Sequence, residues 1–134
     1  MTKTAITDPA EHAVFLFRTW EAALEVKDLE QVLAVYRDDA SIESPIIRRL
    51  LGQNEGVCHG KASVQAFYEA IFAETGSLHL DVKPTPYTDG TRLLWQYERA
   101  IPGGQMDMAE VWDLEGGLVL RHRVYWGWAG MPRT

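Results

Sequence analysis

Apolar positions along this chain follow a helical spacing in the first half and an alternating one in the second. Ala13, Leu16, Phe17, Trp20 and Leu24 recur three and four residues apart, which places them on one stripe of a helix. Asp8-Pro9-Ala10-Glu11 in front of them is a helix start, with a capping carboxylate, a proline at the first helical position and a second carboxylate three residues on. Asp28 and Gln31 repeat the cap signature, and Leu29, Val32, Leu33 and Tyr36 line a second helix. Ala40 to Ser44 reads as a short strand stopped by Pro45. Ile46 to His59 has no period and is expected to be a loop over one edge. A third helix is predicted from Gly60 to about Glu74, with Val64, Phe67, Tyr68 and Ile71 inward and Gly76 as its stop.

Beyond Gly76 the period falls to two. Leu78, Leu80 and Val82 alternate with polar residues before Pro84 and Pro86 break the chain. Arg92 to Ala100 and Met106 to Leu114 are predicted strands, joined through Pro102-Gly103-Gly104-Gln105. Glu115-Gly116-Gly117 then turns into a last strand, Leu118 to Trp128. Three helices followed by a long meander predict an α+β fold, a single domain over residues 1–134 with loose ends at 1–6 and 129–134. The three N-terminal helices should pack on one face of a curved, mostly antiparallel sheet that encloses a pocket.

Composition narrows the function classes. The 134 residues suffice to bury a core without metal or disulfide. The net charge of −6 and the scattered Lys and Arg argue against a nucleic-acid surface, which needs a basic patch. A single cysteine, Cys58, leaves no internal disulfide and no cysteine zinc site. No histidine and carboxylate spacing matches a metal motif, so neither metal nor cofactor is expected. The apolar run from Ala13 to Phe17 is too short for a signal peptide or a membrane span, and a reducing cytoplasm is the expected compartment.

The hairpins supply the candidate chemistry. A two-residue Gly103-Gly104 turn pairs Arg99 with Met108 and Tyr97 with Glu110. A three-residue turn at Glu115 to Gly117 pairs Trp112 with Leu120 and Glu110 with His122. Opposed residues share a face about 5 Å apart, so Tyr97, Glu110 and His122 are expected as a row across three strands. Trp95, Trp112 and Leu120 lie on one side of that row; Arg99, Met108 and Val124 lie on the other, and Trp126 has the same parity. A carboxyl between Met108 and Trp112 loses the solvation that favours its charged form. An imidazole beside it is placed for general acid or base work near neutral pH, and Tyr97 and Arg99 are candidate donors to a carbonyl oxygen. The competing reading makes Glu110 a structural partner of Arg99, Arg121 or Arg123. His122 is then a satisfied sheet histidine. His59 is expected in a loop, His79 exposed and His12 solvated. Asp38-Asp39 is expected at a helix end, and Glu43 has the wrong parity for the pocket.

WEAALEVKDLEQVLAVYRDDASIESP, then GKASVQAFYEA, then AEVWDLEGGLVLRHRVYWGW resemble the nuclear-transport-factor-2-like superfamily, above all its SnoaL-like polyketide cyclases and ketosteroid isomerases. The resemblance runs from about Phe15 to Trp128 and implies a cone-shaped fold whose pocket is bounded by the face carrying Glu110. Trp20 matches the position of an isomerase hydrogen-bond-donating tyrosine, Ser44 that of its general-base aspartate, and Glu110 that of its protonated aspartate. Two of three isomerase roles are therefore missing. SnoaL-like cyclases match better, because their acid/base is a carboxylate on the strand of Glu110, assisted by a cavity histidine. The Arg-x-Asp pair of limonene epoxide hydrolases fails, since Arg99 is followed two residues on by Ile101. The resemblance thus implies a cofactor-independent enzyme performing isomerisation, cyclisation, hydration or dehydration of a small hydrophobic carbonyl compound. Trp20, Ser44, Trp95, Met108, Trp112, Val124 and Trp126 are the expected substrate contacts. It also implies a homodimer through the outer sheet face, where Arg121, Arg123 and Tyr125 point. The alternative is a non-catalytic binder or dimerisation module of the same fold.

Overall fold

Both caps form where the sequence places them. In the computed structural model, which describes residues 8–74, 83–101 and 103–127, the Asp8 carboxylate accepts the Glu11 N–H at 2.9 Å and opens α1, Pro9–Glu25. Asp28 accepts the Gln31 N–H at 3.2 Å and opens α2, Leu29–Ala34. These carboxylates satisfy amide groups that have no partner within the helix. The expected strand around Leu78, Leu80 and Val82, the Gly76 stop, His79, Pro102, Trp128 and both loose termini lie outside the described residues.

Two assignments change in the middle of the chain. Tyr36 does not continue α2 but begins β1, Tyr36–Glu43. Tyr36, Ala40, Ile42 and Ser44 are buried, an even-numbered set that follows the period of a strand. Asp38-Asp39 accordingly lies within this strand, not at a helix end. The segment read as a loop contains α3, Ile47–Leu51, and β2, Val57–His59. Ile47 is fully buried and anchors α3, which Gly52 ends at φ +62°, a conformation glycine adopts without strain. α4, Lys61–Glu74, follows.

The remaining strands are β3, Tyr87–Thr88, β4, Arg92–Ile101, β5, Gly104–Glu115, and β6, Leu118–Trp126. The sheet has the order β2-β1-β6-β5-β4-β3, unclosed, with β1 and β6 parallel and its other neighbours antiparallel. The helices cover one face, where Phe17 and Trp20 of α1 meet Trp95 and Trp112; the Phe17 and Trp95 rings are 4.7 Å apart. α1 is also fixed at its start. A Cβ on Gly90, between β3 and β4, would lie 2.7 Å from that of Pro9. His12, expected to be solvated, instead hydrogen-bonds the Gly117 carbonyl at 2.9 Å. Among the described residues no helix is long and apolar enough to cross a membrane.

Both hairpin registers differ from the expected ones, the first by two residues throughout and the second by one beside its turn and two beyond a bulge. β4 and β5 close on Ile101 and Gly104, pairing Tyr97 with Met108 and Trp95 with Glu110. Proline has no N–H to give a closing pair, and Pro-Gly suits the two central positions of a tight turn; Gly103 has φ +83°. β5 and β6 close on Glu115 and Leu118 through Gly116 and Gly117, both at positive φ, a two-residue turn where three had been expected. One extra residue, Leu120, is then absorbed between the pairs Leu114–Val119 and Asp113–Arg121. Trp112 therefore opposes His122 rather than Leu120, and Glu110 opposes Val124. The slip is even between β4 and β5 and, from Arg121 onward, between β5 and β6, so Tyr97, Glu110 and His122 keep their expected face; beside the second turn it is odd, and Val119 rather than Leu120 is the buried residue.

Candidate active site

Glu110 is the centre of a hydrogen-bonded chain that crosses the whole interior. Its Oε2 accepts from the Tyr97 hydroxyl at 2.5 Å, and its Oε1 lies 2.6 Å from His122 Nε2. The three side chains thus meet, diagonally across the sheet rather than in the straight row expected. Glu110 and His122 are 7% and 1% exposed, so solvent does little to satisfy either. The chain continues on the other side of the imidazole. His122 Nδ1 is 2.7 Å from the Tyr36 hydroxyl, which is 2.5 Å from that of Tyr68, and Tyr68 accepts from Trp20 Nε1 at 3.2 Å.

Burial sets the acidity of the phenols. It raises Tyr97 far above its ordinary value, reinforced by the adjacent Glu110 charge. It does the same to Tyr36, with Tyr68 adding to the effect, and to Tyr68. All three are protonated donors across the physiological range.

Among the described residues no arginine pairs with Glu110. Arg121 pairs with Glu43 at 3.3 Å and Arg123 with Asp113 at 3.0 Å, on the opposite side of the sheet. Glu110 is held by the Tyr97 phenol and the His122 imidazole instead. Arg99 reaches the cavity wall at its exposed rim, and the Tyr97 phenol feels its charge weakly.

The cavity in front of Glu110 has a volume of about 490 Å³. Trp20, Ser44, Trp95, Met108, Val124 and Trp126 line it as expected, together with Tyr97, Arg99, Glu110 and His122. Trp112 is the correction: it is fully buried behind the wall against Phe17, Trp20, Trp95 and His122, and is not a lining residue. Its indole nitrogen has no hydrogen-bond partner among the described residues, which marks it as a packing element. The Ser44 hydroxyl is turned toward its own backbone, 3.4 Å from the Ile46 N–H. His59 ends β2 and is exposed.

Sequence reasoning missed Tyr36 and Tyr68 as members of the site. Parity along YRDDASIES carried a signal for Tyr36, since positions 36, 40, 42 and 44 share one phase. Tyr68 was read as inward, but nothing in its helix pointed to His122. Among the described residues no cluster of His, Cys, Asp or Glu is placed to hold a metal ion.

The SnoaL-like domain family matches residues 17–122. No curated protein sequence matches the chain. A SnoaL-like protein of unknown function from Burkholderia thailandensis is similar at 22% identity, with 88% of this chain and 95% of that one covered and a TM-score of 0.71. An NTF2-like protein from Anabaena variabilis is similar at 16% identity, covering 95% and 96%, with a TM-score of 0.69. TerC, crystallised with polyporic acid, is similar at 18% identity, covering 87% and 92%, with a TM-score of 0.67. The family match spans more than half the sequence and every member of the hydrogen-bonded chain, from Trp20 to His122 in sequence, so this protein, which has the NTF2-like fold, belongs to the SnoaL-like family.

Proposed function

We propose that the cavity is an active site for acid/base chemistry on a small, largely apolar carbonyl compound, with Glu110 as the proton-accepting group. One observation carries this reading. Glu110 is a nearly buried carboxyl on the cavity wall, both of whose oxygens are held by Tyr97 and His122 rather than neutralised by an arginine. A carboxylate kept this way costs stability and is seldom retained for packing.

The reaction follows from the positions. The Glu110 carboxylate takes a proton from carbon next to a carbonyl, and the C–H electron pair moves to the carbonyl oxygen as an enolate. While Glu110 is a carboxylate, the single Tyr97 proton is committed to it. Once Glu110 holds the substrate proton, that hydroxyl is free to turn to the oxyanion, so donor and base are coupled. Returning the proton to a different carbon is an isomerisation; attack by the enolate carbon on a second carbonyl, whose oxygen takes the displaced electron pair and then the proton held by Glu110, is a cyclisation. Arg99 at the rim suits a polar end of the substrate, and the aromatic wall suits an apolar body.

A binder without turnover is the second reading, and the aromatic wall favours it as strongly. Native mass spectrometry of untagged protein identifies any co-purified ligand, which is then supplied to wild type and Glu110→Gln. The enzyme reading expects product from wild type and at most a trace from the variant. Tight binding with no product from either protein establishes the binder. Association of two copies through the outer sheet face belongs to the same proposal.

A further inference from the structure

The hydrogen-bonded chain behind His122 has a direction, and its last member sets it. Trp20 offers only an indole N–H, which donates and never accepts. Tyr68 therefore accepts from Trp20 Nε1 at 3.2 Å. Tyr68 and Tyr36 each carry one proton, and their oxygens are 2.5 Å apart. If Tyr68 donates to Tyr36, then Tyr36 donates to His122 Nδ1 at 2.7 Å, and every proton in the chain has an acceptor. The imidazole proton then sits on Nε2 and is given to Glu110 Oε1 at 2.6 Å.

The opposite polarity fails at one atom. A proton on His122 Nδ1, whether in the other tautomer or in the imidazolium, must be donated to Tyr36. Tyr36 then donates to Tyr68, whose own proton is left beside a donor-only indole. Tyr68 is 3% exposed and Tyr36 fully buried. Among the described residues that Tyr68 proton, at the cavity wall, has no other acceptor, and a hydroxyl proton left so disfavours the arrangement by roughly tenfold or more.

We propose that Trp20, Tyr68 and Tyr36 are positioning residues, forming a one-way hydrogen-bond chain that holds His122 as the neutral Nε2–H imidazole and Glu110 as a carboxylate held by two donors. This deepens the proposed function, and its catalytic meaning rests on Glu110 being the base. The resting site is then set to remove a proton before it gives one. The substrate class narrows to carbon acids, compounds with an acidic C–H beside a carbonyl. Substrates whose first step needs a proton delivered to a leaving oxygen, such as epoxides, are disfavoured.

Long-range nitrogen–proton correlation spectra of the full chain, labelled with nitrogen-15 in histidine, test this near neutral pH. His122→Gln assigns the signals. Wild type is expected to show the Nε2–H pattern for His122, with an unprotonated, hydrogen-bonded Nδ1. In Tyr36→Phe the pattern persists while the Nδ1 signal moves to higher frequency, as a nitrogen that has lost its donor. In Trp20→Phe, where water can accept from Tyr68, a protonated Nδ1 fraction becomes detectable. A protonated Nδ1 in wild type, or an Nδ1 signal unmoved in Tyr36→Phe, overturns the proposal, and Tyr36→Phe does so whether or not Trp20→Phe folds. The base assignment fails separately: full turnover in Glu110→Gln removes it while leaving the tautomer result intact.

Discussion

Glu110, His122 and Tyr97 were legible in the sequence because side-chain parity survives an even slip of register. Trp112 was not, since parity reports which face a residue occupies and not whether a helix covers it. Phe17 and Trp20 press on that indole and place it behind the cavity wall. Trp112→Ala should therefore cost about 3–5 kcal/mol, as for other buried aromatics, read by chemical denaturation. Trp126→Ala, at a half-buried lining position, should cost less stability while weakening ligand binding. The phenols predict a pH dependence. Tyr36, Tyr68 and Tyr97 hold their protons more tightly folded than unfolded, from an ordinary value of 10.0. Their contribution is complete below about pH 10 and is lost as the pH rises beyond it. The thermal midpoint should fall above that pH, and should fall less steeply in Tyr97→Phe.

At the scale of elements, the caps and the long helices were readable because Asp8, Pro9 and Asp28 act on their nearest neighbours. Tyr36 was harder. It satisfies the helical spacing of Leu29, Val32 and Leu33 as well as the alternation of Ala40, Ile42 and Ser44, and tertiary pairing decides between them. Tyr36 opposes Val119 on the parallel strand β6, a contact between residues far apart in sequence. Tyr68 joins the site for a similar reason, since α4 packs on β1. The turn after β5 shows how two local features combine. A two-residue Gly116-Gly117 turn without the extra Leu120 position would give an uninterrupted hairpin; the absorbed residue keeps Arg121 outward and His122 inward. Gly90 couples a turn to a helix. Its φ of +97° and its approach to Pro9 leave no room for a methyl group, so Gly90→Ala should destabilise by about 1–3 kcal/mol, measured as a lower denaturation midpoint.

For the whole molecule, the two faces of the sheet have separated roles. The inner face carries the cavity and the hydrogen-bonded chain. The outer face carries Arg121–Glu43 and Arg123–Asp113 pairs, with Tyr125 and Leu94 left 50% and 40% exposed among them. We propose self-association there, and sedimentation velocity should show a dimer for wild type that Tyr125→Glu dissociates; a wild-type monomer at every concentration would contradict it. The central claim is that Glu110 removes a proton from carbon. Incubation in heavy water with a panel of small apolar ketones, followed by proton magnetic resonance, measures that step without needing the full reaction. Wild type should exchange the protons beside the carbonyl of at least one compound, and Glu110→Gln should slow that exchange by about 10²–10⁴-fold. Equal exchange rates in the two proteins would contradict the account.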